Sequence, residues 1–284
     1  MTAHDLAGLH LAETGDDGPL VLCLHGIGSS SAAFAPQTGA LAAAGHRVVA
    51  WDAPGYGKSA DPDGDLTLDD YADTAAAVIR ARVSASATAT ARATEAHVVG
   101  VSWGGVIALR LATRHPELVA SLTVADSTPG SGTSPEKAAA MRARVPELER
   151  LGPRAFAEER GPRLLSKDAP PELVRRVVDT MADSIRPPGY RQAAESMAAT
   201  DLRSELAEVT APTLVLCGEK DRITGPDASQ VLAGGLHRTA YVIVKDAGHL
   251  ANQEQPEHFN AWLLSHLHIV TDNRTRTRNR TRKG

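Results

Sequence analysis

The chain has 284 residues, 42% hydrophobic and 23% charged, which suits one large soluble α/β domain or two small ones and leaves room for a deep, water-poor site. The formal net charge of −4 argues against nucleic acid as a partner, the more so because Arg274, Arg276, Arg278, Arg280, Arg282 and Lys283 gather against Asp272 in the last stretch and leave the body more acidic still. Cys23 and Cys217, each inside an apolar run, read as buried reduced thiols; with no leader-like start and no bilayer-length apolar run, a cytoplasmic protein with no membrane partner is expected.

Along the chain, short apolar runs at 19–24 (PLVLCL), 47–51 (RVVAW), 96–101 (AHVVGV), 119–125 (VASLTVA), 213–217 (TLVLC) and 240–244 (AYVIV) predict strands. They are nearly continuous in apolar residues, as strands buried on both faces are. Helical patterns such as 68–82 and 103–114 lie between them, the second stopping before Pro116. The alternation predicts an α/β fold, a mostly parallel central sheet flanked by helices on both faces. The segment 84–94 (SASATATARAT) and the Arg-Thr tail at 271–284 have little to bury and are expected to be unstructured.

The rhythm breaks between Ser127 and Thr210. Helical patterns start at Pro135 and Pro171, and Pro187-Pro188-Gly189 is expected to force a break before a further one, YRQAAESMAA. One crossover does not need so long a segment, so a helical cap over one end of the sheet is expected. Met141, Phe156, Leu164, Leu165, Met181 and Met197 are candidates for its pocket wall, though most should form the cap's own core. One of Arg142, Arg144, Arg163, Arg175, Arg176 and Arg186 is a candidate for receiving a substrate carboxylate, the rest being solvated.

Gly100-Val101-Ser102-Trp103-Gly104 is a G-x-S-x-G string with a strand before it and a helix after it, the context that separates a nucleophile elbow from a chance match. A serine hydroxyl needs a base to take its proton. His249, in DAGHL just past the last predicted strand, is the one histidine in a suitable place. Asp221, in GEKD after the strand at 213–217, is the expected partner of its imidazole, with Glu219 and Asp126 as rivals; Asp126 reads better as a loop cap. The order Ser102, Asp221, His249 suits such a triad. An oxyanion hole would draw on the backbone N–H groups of Trp103 and of Ile27, in HGIG (25–28), with His25 as a structural tie. Gly26, Trp103 and Leu250 are the expected substrate contacts. The glycine-serine run after His25 lacks a Gly-Lys-Ser/Thr ending and is no phosphate loop; no His/Cys cluster suggests a metal.

The landmarks HGIG (25–28), WDAPGYGKS (51–59), GVSWGG (100–105), GEKD (218–221) and AGHLANQEQPEHFNAWLLSHL (247–267) together resemble the α/β-hydrolase fold superfamily, in its serine-nucleophile branch. The carboxy-terminal motif is most similar to 3-oxoadipate enol-lactonases and related esterase, lactonase and perhydrolase-like members. The resemblance implies a core of 1–126 and 211–270, a helical cap of 127–210 inserted after the sixth strand, and a disordered basic tail of 271–284. It also implies that the Asp52–Ser59 loop shapes the floor near the site, and that a small carboxylic ester or lactone is cleaved through an acyl-enzyme without cofactor or metal. A serine rather than an aspartate nucleophile argues against dehalogenase and epoxide hydrolase chemistry. Val101, where C–C hydrolases usually carry Asn, lowers that reading, and the Ser-Trp-Gly-Gly elbow resembles that of proline iminopeptidases. C–C cleavage of a β-diketone-type substrate, a peptidase and a non-catalytic binding protein stand as alternatives. The sequence sets no oligomeric state.

Overall fold

Each apolar run becomes a strand that feeds two cores at once. In β2 (Leu20–Leu24), Leu20, Leu22 and Leu24 enter one hydrophobic cluster while Val21 and Cys23 enter another on the opposite face, as the two-residue period of a strand dictates. The computed structural model describes residues 6–84 and 94–281. With β1 (Leu11–Thr14), β3 (Arg47–Trp51), β4 (Ala96–Val101), β5 (Val119–Ala125), β6 (Thr213–Gly218) and β7 (Thr239–Val244), these form a seven-stranded sheet in the order β1-β3-β2-β4-β5-β6-β7. β1 runs antiparallel to β3; the other pairings are parallel.

Helices cover both faces. α1 (Ala35–Ala43) and α10 (Pro256–Thr281) supply Leu41, Phe259, Leu263 and Leu267 to one cluster. α2 (Leu68–Ser84) and α3 (Trp103–Arg114) supply Ile79, Ile107 and Leu111 to the other. Both cysteines are buried free thiols. No helix among the described residues is long and apolar enough to cross a membrane.

Between β5 and β6 lie α4 (Pro135–Arg142), α5 (Arg144–Arg160), α6 (Pro171–Ser184) and α7 (Pro187–Ala198). α8 (Gly225–Gly235) then crosses to β7, and the short α9 (Ala251–Glu254) precedes α10. The helical segment therefore follows the fifth strand, not the sixth, because a single antiparallel edge strand precedes β2. That strand, LAET, was missed: it is half-exposed, as an antiparallel edge strand with one solvated face can be, and carries no apolar run. β7 is also an edge strand, and Ile243 is exposed, so burial on both faces fails there. Pro187 and Pro188 open α7 rather than precede it, since proline is tolerated in a helix's first turn. Through Thr281 the tail is helical rather than unstructured as expected, as the continuation of α10, and nothing from Glu257 to Thr281 is a proline or glycine that would stop it; its last part, 282–284, lies outside the described residues. Ser84 closes α2; the rest of the 84–94 segment, up to Ala93, lies outside the described residues.

Candidate active site

The turn from β4 into α3 places Ser102 at φ 55°, ψ −117°, a region that non-glycine residues occupy only under strain, at a cost of about 1–3 kcal/mol. The surrounding packing enforces it. A Cβ on Gly100 would stand 2.2 Å from the Gly104 carbonyl oxygen, and one on Gly104 would stand 2.0 Å from that of Leu24. Only glycine lets these backbones close to such distances. The Ser102 carbonyl accepts from Ser127 Oγ at 2.7 Å and its N–H donates to the Ala125 carbonyl at 2.8 Å, so the strained residue is pinned to the end of β5.

The loops after β6 and β7 complete the cluster. Ser102 Oγ lies 2.9 Å from His249 Nε2, and His249 Nδ1 lies 3.0 Å from Asp221 Oδ2. His249 and Asp221 are buried. Burial alone would raise the Asp221 carboxyl. The hydrogen bond and charge of His249, with donation from Thr224 Oγ and the Ile223 amide, instead hold it far below the usual carboxylate range. An ionised Asp221 can only accept, so Nδ1 carries the proton and Nε2 is left to accept the Ser102 hydroxyl.

Asp126 lies outside this relay. Its two carboxylate oxygens accept from the Gly218 amide at 2.8 Å and the Ala251 amide at 3.1 Å, tying the end of β5 to the two loops that carry Asp221 and His249. Complete burial pushes its carboxyl up to about 7, against the pull of His249 and of those amides. Asp126, Cys217 and Asp221 bring potential ligand atoms within 4.8 Å of one another. Both carboxylates already have each oxygen turned to a protein donor, and burial pushes the Cys217 thiol up to about 12. This donor set does not fit a cation.

Ile27 lies in the loop after β2, packed so closely that a Cβ on the adjacent Gly26 would sit 3.2 Å from Ser102 Cβ. Trp103 is the first residue of α3, where an N–H has no partner within its own helix. The Gly26–Ile27 backbone and the Trp103 amide thus border the serine. The Trp103 side chain does not: its indole is fully buried, donates to Ser196 Oγ at 3.1 Å and packs edge-on against Tyr71, 4.7 Å away. As a substrate-contacting side chain Trp103 is therefore a correction, since its ring is not part of the cavity lining and is held between α2 and α7. His25 ties its loop: Nδ1 donates to the Gly26 carbonyl at 2.8 Å and Nε2 accepts the Ala53 amide at 2.9 Å. Burial keeps it neutral, pushed down to about 4.

A cavity of about 840 Å³, open mouth included, lies above Ser102 and His249. Gly26, Ile27 and Leu250 line it, as do Phe156, Leu164 and Met181 from the helical segment. Met141, Leu165 and Met197 are buried outside its wall. Arg144 and Arg163 line it too, together with Arg160 and Tyr190, which sequence reasoning passed over. Arg186 is neither a cavity residue nor solvated: its guanidinium donates to the Gly57 and Ser59 carbonyls, each at 2.6 Å, and to Asp61 at 2.9 Å. The Asp52–Ser59 loop is thereby a clasp for the helical segment, stiffened by Asp52 accepting the Ser31 and Lys58 amides. Two further supports carried no sequence signal. Thr224 braces Asp221, and Glu254 accepts the amides of Ser166 and Gly248, while the His249 amide donates to the Leu164 carbonyl at 2.8 Å.

A serine on a strand–turn–helix elbow of a mostly parallel sheet, with a histidine and an aspartate brought to it from the last two strands, defines a class of hydrolytic enzyme. The chain belongs to the α/β-hydrolase family, whose model matches residues 21–262. It is 34% identical to "Putative carbamate hydrolase RutD" of Variovorax paradoxus over 90% of this chain and 94% of that one. It is 26% identical to 3-oxoadipate enol-lactonase 1 of Acinetobacter baylyi over 86% of each. Among solved structures it is similar to a thermophilic esterase from Thermogutta terrifontis, at 28% identity and a TM-score of 0.82, covering 92% of this chain and 93% of that one.

Proposed function

We propose that the protein hydrolyses a carboxylic ester or lactone of a small organic molecule, with Ser102 as nucleophile, His249 as general base and acid, and Asp221 as the residue that orients and charges the imidazole. The observation that carries this reading is the Ser102–His249–Asp221 chain, at 2.9 and 3.0 Å, on the floor of a cavity. In the first step Ser102 Oγ bonds to the substrate carbonyl carbon as its proton passes to His249 Nε2. The developing oxyanion is received by the Ile27 and Trp103 amides. The leaving alkoxide or enolate departs with the proton from His249. Water then loses a proton to His249 and adds to the acyl carbon, and Ser102 leaves, recovering its proton. The names of the relatives support the bond type, since lactone, ester and carbamate all join an acyl carbon to a heteroatom leaving group.

On this reading residues 127–210 form a substrate-covering cap on a core of 1–126 and 211–270. The test is a panel of p-nitrophenyl esters and lactones offered to wild type and Ser102→Ala. Release by wild type should fall by about 10³-fold or more in the variant. A variant that retains most of the activity would refute the nucleophile assignment.

A further inference from the structure

The roof of the cavity carries positive charge that the fold itself does not neutralise. Arg144, Arg160 and Arg163 line it, and no carboxylate is part of that lining. Arg160 has a partner, donating to Glu147 at 3.0 Å, and its guanidinium lies 5.3 Å from the Phe156 ring centroid. Arg144 has a neutral neighbour, the Tyr190 hydroxyl, which lines the cavity beside it and favours its charged form. Among the described residues no carboxylate lies within the 4.0 Å of an ion pair from Arg144 or Arg163. Burial, reinforced by the charge of Arg160, pushes the Arg144 guanidinium below the ordinary value. A partly desolvated guanidinium that no carboxylate contacts, with only the more distant charge of Glu147 drawing on it, is costly, and its planar fork matches a carboxylate in shape and charge.

We propose that Arg144, with Tyr190, Arg160 and Arg163 around it, is the subsite for a carboxylate carried by the substrate. The preferred substrates are then half-acids, esters or lactones whose free carboxylate meets the roof while the scissile carbonyl meets Ser102. The catalytic part of this assignment rests on the reading of Ser102 given above; the anion site itself does not.

Two experiments keep those parts separate. The first compares kcat/KM for mono-p-nitrophenyl glutarate and for its methyl-capped ester. Wild type should favour the half-acid by about tenfold or more, the scale of a charge-assisted pair. Arg144→Gln should lower that ratio about tenfold and Arg144→Lys should restore part of it. Arg163→Gln, at an exposed position, should lower the ratio less and guards against a misfolded Arg144 variant. Equal rates in wild type, or a ratio that neither Gln variant moves, overturns the proposal. The second measures, by calorimetry on Ser102→Ala, the binding of dicarboxylates from succinate to pimelate, of their dimethyl esters and of inorganic phosphate. Tighter binding of a dicarboxylate than of its diester supports the subsite; equal binding, or a preference for phosphate, overturns it. Dicarboxylate binding that depends on Arg144, without ester cleavage by wild type, would keep the anion site and discard the catalytic reading.

Discussion

The floor and the roof of the cavity are built on opposite plans. The floor is made of loops at the carboxyl ends of β2, β4, β6 and β7, where backbones touch through glycine and nearly every polar group is answered by another. The Asp126 carboxylate alone ties two of these segments to the end of β5, through the Gly218 and Ala251 amides. The roof is made of helices that pack by aliphatic stripes, such as Leu173, Val177 and Met181 at every fourth residue of α6, and it meets the core through a shared hydrophobic cluster and side-chain ties such as Arg186 and the backbone bridge between Tyr56 and Ile185. The difference separates two tasks: the floor has to hold atoms to a fraction of an ångström for chemistry, whereas the roof has to offer a shape and a charge that can vary without disturbing that geometry.

A substitution that breaks the floor should cost both folding and turnover. In Gly104→Ala the added Cβ would stand 2.0 Å from the Leu24 carbonyl oxygen and 2.8 Å from that of His25, both backbone atoms that cannot rotate away. A loss of about 3–5 kcal/mol is expected, in the range of severe single substitutions, with activity falling in the protein that still folds. Thermal or urea unfolding checks the first part. An Ala variant with wild-type stability would mean that the elbow is looser than these contacts imply.

A substitution that loosens the roof should divide the two properties. Arg186→Ala removes the donors to Gly57, Ser59 and Asp61 but leaves the Ser102–His249–Asp221 chain untouched. A stability loss of about 1–2 kcal/mol is expected from the charge-assisted bonds, with KM rising more than kcat falls. Steady-state kinetics on any accepted ester checks this. A kcat that collapses while KM holds would show that the clasp governs the chemical step after all.

The same division explains what could be read in advance. The serine, the histidine and the aspartate could be nominated because each sits directly after an apolar strand, so that strand order alone brings them to one edge of the sheet. His25 and Asp126 also follow apolar strands and were set aside as a structural tie and a loop cap, roles that fit the backbone groups they hold. The roof resisted, because which side of a helix faces a cavity depends on crossing angles that one sequence does not encode visibly. Arg160 was overlooked although it lines the wall, and Arg186 was counted among solvated charges although it clasps the core. Trp103 was expected among the substrate contacts, yet its ring lies outside the cavity lining, bonded to Ser196 and packed on Tyr71. Thr224 sits in a loop and Glu254 ends the short α9, and where each one points emerges only with the fold. The strand LAET gave no signal because an edge strand with a solvated face needs no apolar run.

The smallest expected effect on selectivity lies at the far end of the strand that delivers Ser102. His97, near the start of β4, is buried, with Nδ1 2.7 Å from Ser121 Oγ. Burial, with the charges of His46 and His266, pushes it down to about 4. In the unfolded chain it would take a proton below about pH 6.5. Between those values the unfolded state binds a proton that the folded state refuses, so stability is complete above pH 6.5 and falls as the pH drops toward 4. Each such histidine contributes a slope of up to about 1.4 kcal/mol per pH unit, and His25, also pushed down to about 4, adds to it. Urea midpoints measured across this window should decline for wild type and decline less steeply for His97→Gln. Because His97 is remote from the cavity, the selectivity between half-acid and capped ester should not follow that decline. If it did, acid would be acting on the roof, and the independence of the two plans would have to be given up.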